Sequence, residues 1–178
     1  MKKILFGLMV MISMNVMAQN AAYNVSKDEK NGELVYNGLI TFDDLNKELT
    51  FTWLKSGHDE YKPEETATNY LRTHLKDYSM AVFLGTWCDD SHYLIPKFEK
   101  ILLIVDYPLS RLSMYGVDRA KTTKNGVDKT YNITLVPTII LFKGGKEVGR
   151  ITETVQKSVE ADLAAIIEKD LVTSQSHK

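Results

Sequence analysis

One cysteine, Cys88, occurs in a chain of 178 residues. An internal disulfide is therefore impossible, and so is any redox cycle that needs two thiols of the same chain. There is no block of lysine and arginine, and the net charge is −1, so the electrostatic footprint of a nucleic-acid binder is missing. Only four prolines are present, and no internal repeat or low-complexity segment is found. No uncharged apolar run reaches the ~20 residues of a comfortable membrane-spanning helix.

The longest apolar run is at the start. Lys2 and Lys3 precede an apolar stretch from Ile4 to Met14, and Val16-Met17-Ala18 suits cleavage after Ala18. Residues 1–18 are read as a signal peptide, which implies export to a bacterial periplasm or the extracellular space, with no stable membrane span after cleavage. The remaining chain is long enough for one domain with an ordinary core.

Residues 19–62 form an N-terminal extension, a hairpin and/or a helix. Asn20 to Gly32 is polar and reads as loose. Leu34-Val35-Tyr36 and Leu39-Ile40-Thr41 flank Asn37-Gly38, a pair that favours a hairpin turn. Thr41 and Asp44 have the spacing of a capping box. The helix it would start, from about Phe42 to Leu54, places Leu45, Leu49 and Trp53 on one face. Gly57 to Lys62 interrupts that pattern, and Pro63 suits the first turn of the next helix.

From there the periodicities alternate. Tyr70, Leu71, His74, Leu75 and Tyr78 mark a helix, and Met80 to Leu84 a strand buried on both faces. A helix from Cys88 to Val105 carries Pro96 inside it. Arg111 to Val117 is a strand, and Thr122 to Asn132 holds a short helix with loops. Thr138 to Phe142 turns back through Lys143-Gly144-Gly145-Lys146 into Glu147 to Thr152. Ser158 caps a final helix whose apolar face is Val159, Leu163, Ile166 and Ile167. Residues 173–178 are expected to fray. Helices between strands call for parallel pairing early, and the tight hairpin calls for antiparallel pairing late.

Cys88 is the best candidate for chemistry. It follows the apolar strand sequence and opens a helix, where free backbone N–H groups and the helix dipole favour a thiolate. Asp89 and Asp90 suit the helix start but repel a neighbouring anion, and His92, if protonated, offsets them. Ser91 lies one turn on, where its hydroxyl has the spacing to donate to the sulfur. Two acids and one imidazole crowded into neighbouring helix positions, Asp89, Asp90 and His92, are weak as a metal site, because adjacent helix residues point apart.

Three local matches resemble the thioredoxin superfamily, over residues from about 63 to 170. Trp87-Cys88-Asp89-Asp90-Ser91 is similar to the family's Trp-Cys-x-x-Cys, with serine in place of the second cysteine. Pro96 falls where the family has its helix-kinking proline. Tyr131 to Thr138, followed by Leu141-Phe142-Lys143-Gly144-Gly145, resembles the cis-proline loop and final hairpin. The resemblance implies a thioredoxin-like three-layer α/β/α domain at residues 63–172, with a central mixed sheet and a cis-proline loop. It implies catalytic roles for Cys88 and Ser91, and substrate contacts from Trp87 at the rim and from Val136 and Pro137. The chain departs from the family at Val82, where many members have a buried acid. The implied activity is monothiol thiol–disulfide exchange, oxidoreductase or isomerase-like, on exported proteins or peptides. An external low-molecular-weight thiol is a second partner, and no cofactor or metal is needed. The alternative is a redox-inactive peptide-binding module or holdase on the same fold.

Overall fold

The computed structural model describes residues 22–176. In chain order the strands are β1 (Tyr23–Lys27), β2 (Leu34–Ile40), β3 (Ser79–Leu84), β4 (Leu112–Gly116), β5 (Thr138–Lys143) and β6 (Lys146–Thr152). The helices are α1 (Phe42–Lys47), α2 (Thr52–Glu60), α3 (Glu65–His74), α4 (Asp89–Ile104), α5 (Val127–Thr130) and α6 (Val159–Ser176).

Apolar sequence with no polar alternation must be covered on both faces, and β3 accordingly lies inside the sheet, whose order is β1-β2-β4-β3-β5-β6. β3 runs parallel to β4 and antiparallel to β5, so the sheet is mixed. Met80, Val82 and Leu84 join the larger core, which α1–α4 and α6 cover with Leu45, Leu54, Leu71, Phe98 and Leu163. Ala81 and Phe83 point the other way, into a smaller core with Trp87, Val117, Ile133, Val136 and Ile140. The three layers are thus unequal. The second helical cover is reduced to the single turn α5 and its flanking loops.

The N-terminal extension differs most from the sequence reading. Asn37-Gly38 is not a turn but lies inside β2, and the hairpin partner is β1, in the segment read as loose. The turn is at residues 28–33, where the Asp28 carboxylate accepts from Lys30 N and Asn31 N. Gly38 is needed for closeness. Its φ is 131°, and a Cβ there would lie 2.5 Å from the Ala22 carbonyl oxygen. β1 was hidden because it is an edge strand, with all residues after Tyr23 exposed. β2 also pairs with β4, so the extension enlarges the sheet instead of trailing from it.

The single helix expected over residues 42–54 is two. The capping box forms, with Thr41 Oγ1 accepting from Asp44 N and Asp44 accepting from Thr41 N. Glu48 then leaves the helix, and its carboxylate accepts from both the amide and the hydroxyl of Thr50. That local capture competes with helix continuation, and it leaves Leu49 89% exposed instead of on a buried face. α2 continues through Gly57, where a break was expected. A Cβ at Gly57 would meet Pro96 Cγ at 2.6 Å, so the glycine lets α2 press against the proline of α4. Pro63 precedes α3, whose cap is Glu64, accepting from Thr66 N and Ala67 N. At the other end α6 runs to Ser176, so residues 173–176 are helical where fraying was expected. The signal-peptide expectation for residues 1–18 falls outside the described residues.

Gly38→Ala combines a left-handed backbone with an overlap against backbone atoms. Each effect typically costs about 1–3 kcal/mol. The expected loss is at least about 2 kcal/mol in urea-unfolding free energy, with the denaturant dependence unchanged.

Candidate active site at Cys88

β3 ends at Leu84, and a tight turn follows in which Cys88 N donates to the Gly85 carbonyl at 3.0 Å. Cys88 is the N-cap of α4, with extended backbone (φ −108°, ψ 122°), and its own carbonyl accepts from His92 N. The thiol therefore stands ahead of the unpaired amides of the first helical turn. Cys88 is half-buried, whereas Asp89 and Asp90 are exposed.

The Val136–Pro137 peptide bond is cis, and Cys88 Sγ lies 3.5 Å from the Val136 carbonyl oxygen. The structure thus brings Cys88, Val136 and Pro137 together as the sequence anticipated. The Pro137 carbonyl accepts from Glu153 N at 2.7 Å, which ties the loop to the segment after β6.

Two expected partners of the sulfur face elsewhere. Ser91 is fully buried, and its Oγ accepts from the Gly85 amide at 3.2 Å, so it secures the turn's backbone and not the thiol. His92 directs Nε2 at the Thr86 carbonyl at 2.8 Å. A carbonyl only accepts, so this nitrogen carries the proton. The His92 ring is also stacked on Trp53 of α2, with centroids 4.4 Å apart and planes at 16°. Trp87 is buried under other groups more than it shapes a rim, and its Nε1 donates to the Val117 carbonyl at 2.9 Å. Val82 is fully buried in the larger core.

Sequence reasoning missed three contributors. Arg119 lies over the Trp87 ring at 4.5 Å and makes a two-pronged ion pair with Asp28, Nε to Oδ2 at 2.6 Å and Nη2 to Oδ1 at 3.0 Å. This arrangement holds the Asp28 carboxyl down at about 2, chiefly through the Arg119 hydrogen bonds, with help from the amides of Lys30 and Asn31. Arg119 is held above its ordinary value, mainly by its hydrogen bonds to Asp28, with Glu33 acting in the same direction. Thr86, fully buried, donates its hydroxyl to the Leu34 carbonyl at 2.7 Å and accepts from Tyr36 N at 3.1 Å. Asp28 and Arg119 are 91 positions apart, and no local pattern joins them. Among the described residues, no three His, Cys, Asp or Glu side chains gather as a metal-binding group.

A thioredoxin family model matches residues 63–169. The chain belongs to the thioredoxin family. At family level this means thiol–disulfide redox chemistry. No curated protein matches the chain. Among solved structures, a protein of unknown function from Pseudomonas aeruginosa is 14% identical over 72% of this chain and 81% of its own, with a TM-score of 0.48. A mutant thioredoxin from Halobacterium salinarum is 25% identical over 54% of this chain and 76% of its own, with a TM-score of 0.37. Thioredoxin 2 from Pseudomonas aeruginosa, in its reduced form, is 19% identical over 66% of this chain and 96% of its own, with a TM-score of 0.33. The family match begins at residue 63, so Asp28, Thr50, Phe51 and Trp53 all lie outside it.

The Asp28 carboxyl titrates lower in the folded chain than in the unfolded one, so its ion pair stabilises the fold above the ordinary carboxylate range and loses that effect as pH falls toward about 2. Urea midpoints across pH should show wild type above Asp28→Asn near neutral pH. The gap should narrow as pH drops from about 4.

Proposed function

We propose that the protein is a monothiol member of its family, exchanging thiols and disulfides of exported proteins or peptides. The observation that carries this reading is a half-buried sulfur at the start of α4, 3.5 Å from the Val136 carbonyl beside Pro137, with a serine where a second thiol would stand.

The Cys88 thiolate attacks one sulfur of a substrate disulfide. A Cys88–substrate disulfide forms as the substrate's own S–S bond breaks, and the second substrate sulfur leaves as a thiolate. A third thiolate then attacks the mixed disulfide and releases Cys88. If that thiolate belongs to the substrate, the result is isomerisation. If it belongs to an external low-molecular-weight thiol, which is itself oxidised, the result is reduction of the substrate. Val136 and Pro137 supply the backbone edge for an extended substrate, and Trp87 supports the turn. The leader-like residues 1–18 support placement in a periplasm or outside the cell.

A binding module without turnover is the second reading. It is favoured by a fully buried serine, Ser91, where the family has its second thiol, and by apolar Val82 in the position of the family's acid. The two readings part at the sulfur. Cys88→Ala should abolish adducts seen by non-reducing electrophoresis and mass spectrometry of protein from its native compartment. Peptide binding that survives the substitution, with no adduct in wild type, supports the module instead. Ser91→Cys should shorten the life of the mixed disulfide, because a thiol one turn away can release it. An unchanged lifetime would remove the alignment of Ser91 with the resolving position.

A further inference from the structure

Beside the Thr86–Cys88 turn lies a cleft of about 390 Å³, framed almost entirely by the N-terminal extension. Leu34, Phe51 and Trp53 supply its apolar surface and Thr86 borders it, while Lys27 and Glu33 stand on its edge. We propose that this cleft is a substrate subsite, taking one large apolar side chain, aromatic above all, from the polypeptide whose disulfide Cys88 attacks. The inference rests on the exchange reading above and names the substrate class for it.

Three observations fix the occupant. Reach comes first: Thr86 and Cys88 are two residues apart, which is at most ~7 Å of chain, so a residue next to the attacked cysteine can enter. The volume is at the small end of ligand sites, suited to one side chain and not to a folded segment. The charges on the edge oppose each other, one lysine and one glutamate, and Glu33 is already bonded to Asn31 Nδ2 at 2.8 Å, so no net field selects an ionic group. What remains is aromatic and aliphatic surface, which gains most from an apolar partner.

The cleft is also held in register with the thiol. Trp53 stacks on His92, His92 bonds the Thr86 carbonyl, and the Thr86 hydroxyl bonds β2 at Leu34 and Tyr36. The wall and the reactive turn are therefore one unit, and filling the cleft orients a bound chain relative to the sulfur.

The test uses three peptides, each with one cysteine in mixed disulfide with thionitrobenzoate and with phenylalanine, alanine or aspartate before that cysteine. Cys88 attacks the peptide sulfur, the peptide becomes disulfide-bonded to Cys88, and thionitrobenzoate leaves as a coloured anion. In wild type the phenylalanine peptide should react about tenfold faster than the other two, about 1.4 kcal/mol of preference. Trp53→Ala should bring the three rates to within about twofold. Because Trp53 also packs on His92, Thr50→Phe provides an independent variant, since Thr50 lines the cleft and a phenylalanine there fills it. It too should erase the preference. Equal rates in wild type, or a preference that survives Thr50→Phe, overturns the subsite while leaving exchange intact. No release from any peptide, from a protein whose Cys88 still reacts with iodoacetamide, overturns exchange and the subsite together.

Discussion

The Thr86 hydroxyl is the pivot of the molecule. It is fully buried, donating to one residue of β2 and accepting from another, so the loop leaving β3 is bonded sideways to a strand 50 positions earlier. The same residue's carbonyl receives His92 from the first turn of α4. One residue thus joins the sheet, the reactive turn and the active helix. A buried hydroxyl without partners would be costly, and this one has both of its roles filled. Ser91 adds a second tie by accepting from Gly85. Cys88 inherits its position from these bonds, and its own sulfur reaches across to the Val136 carbonyl.

The extension is what makes this arrangement unlike a bare thioredoxin domain. Its aromatic rings form a continuous path: Tyr23 to Tyr36 at 4.9 Å, Tyr36 to Phe51 at 5.2 Å, Phe51 to Trp53 at 5.6 Å and Trp53 to His92 at 4.4 Å. Such pairs contribute about 0.5–1.5 kcal/mol each beyond the area they bury. The path runs from the edge strand to the helix that carries the thiol. On the other flank, Asp28 reaches from the β1–β2 turn to Arg119, which covers Trp87. The extension therefore completes the sheet edge through β1 and β2 and reaches the reactive turn from two sides, through Trp53 and through Asp28.

Legibility in the sequence follows the range of the interaction. β3, α4 and the β5–β6 hairpin are visible because periodicity, an internal proline and a Gly-Gly turn are local signals. Cys88 and Pro137 are visible because each belongs to a short motif. Asn37-Gly38 misleads because the same dipeptide serves a hairpin turn and a strand that must approach its neighbours closely, and the contacts with Ala22 and Tyr23 distinguish the two. The break at Glu48 depends on a side chain capturing Thr50, which helical periodicity does not register. Ser91 and His92 have the right spacing to meet the sulfur, but spacing on a helix does not say which of several nearby partners wins. For His92 a carbonyl of the preceding turn and an aromatic face from α2 outcompete the thiol. Arg119 and Asp28 meet only through the tertiary fold.

The commitments of Ser91 bear directly on the chemistry. The serine at the resolving position is closed to solvent, and its oxygen accepts from the Gly85 amide, which ties it to the turn's backbone. Under the proposed exchange, the sequence holds no second cysteine to release what Cys88 captures. The lifetime of a mixed disulfide then depends on how well an outside thiol reaches it, and on how firmly the bound chain is held. Both are properties of the surface around Cys88, and the cleft beside it is built by residues outside the family core. If exchange proceeds as proposed, the extension bears on what stays joined to the sulfur through the cleft it lines.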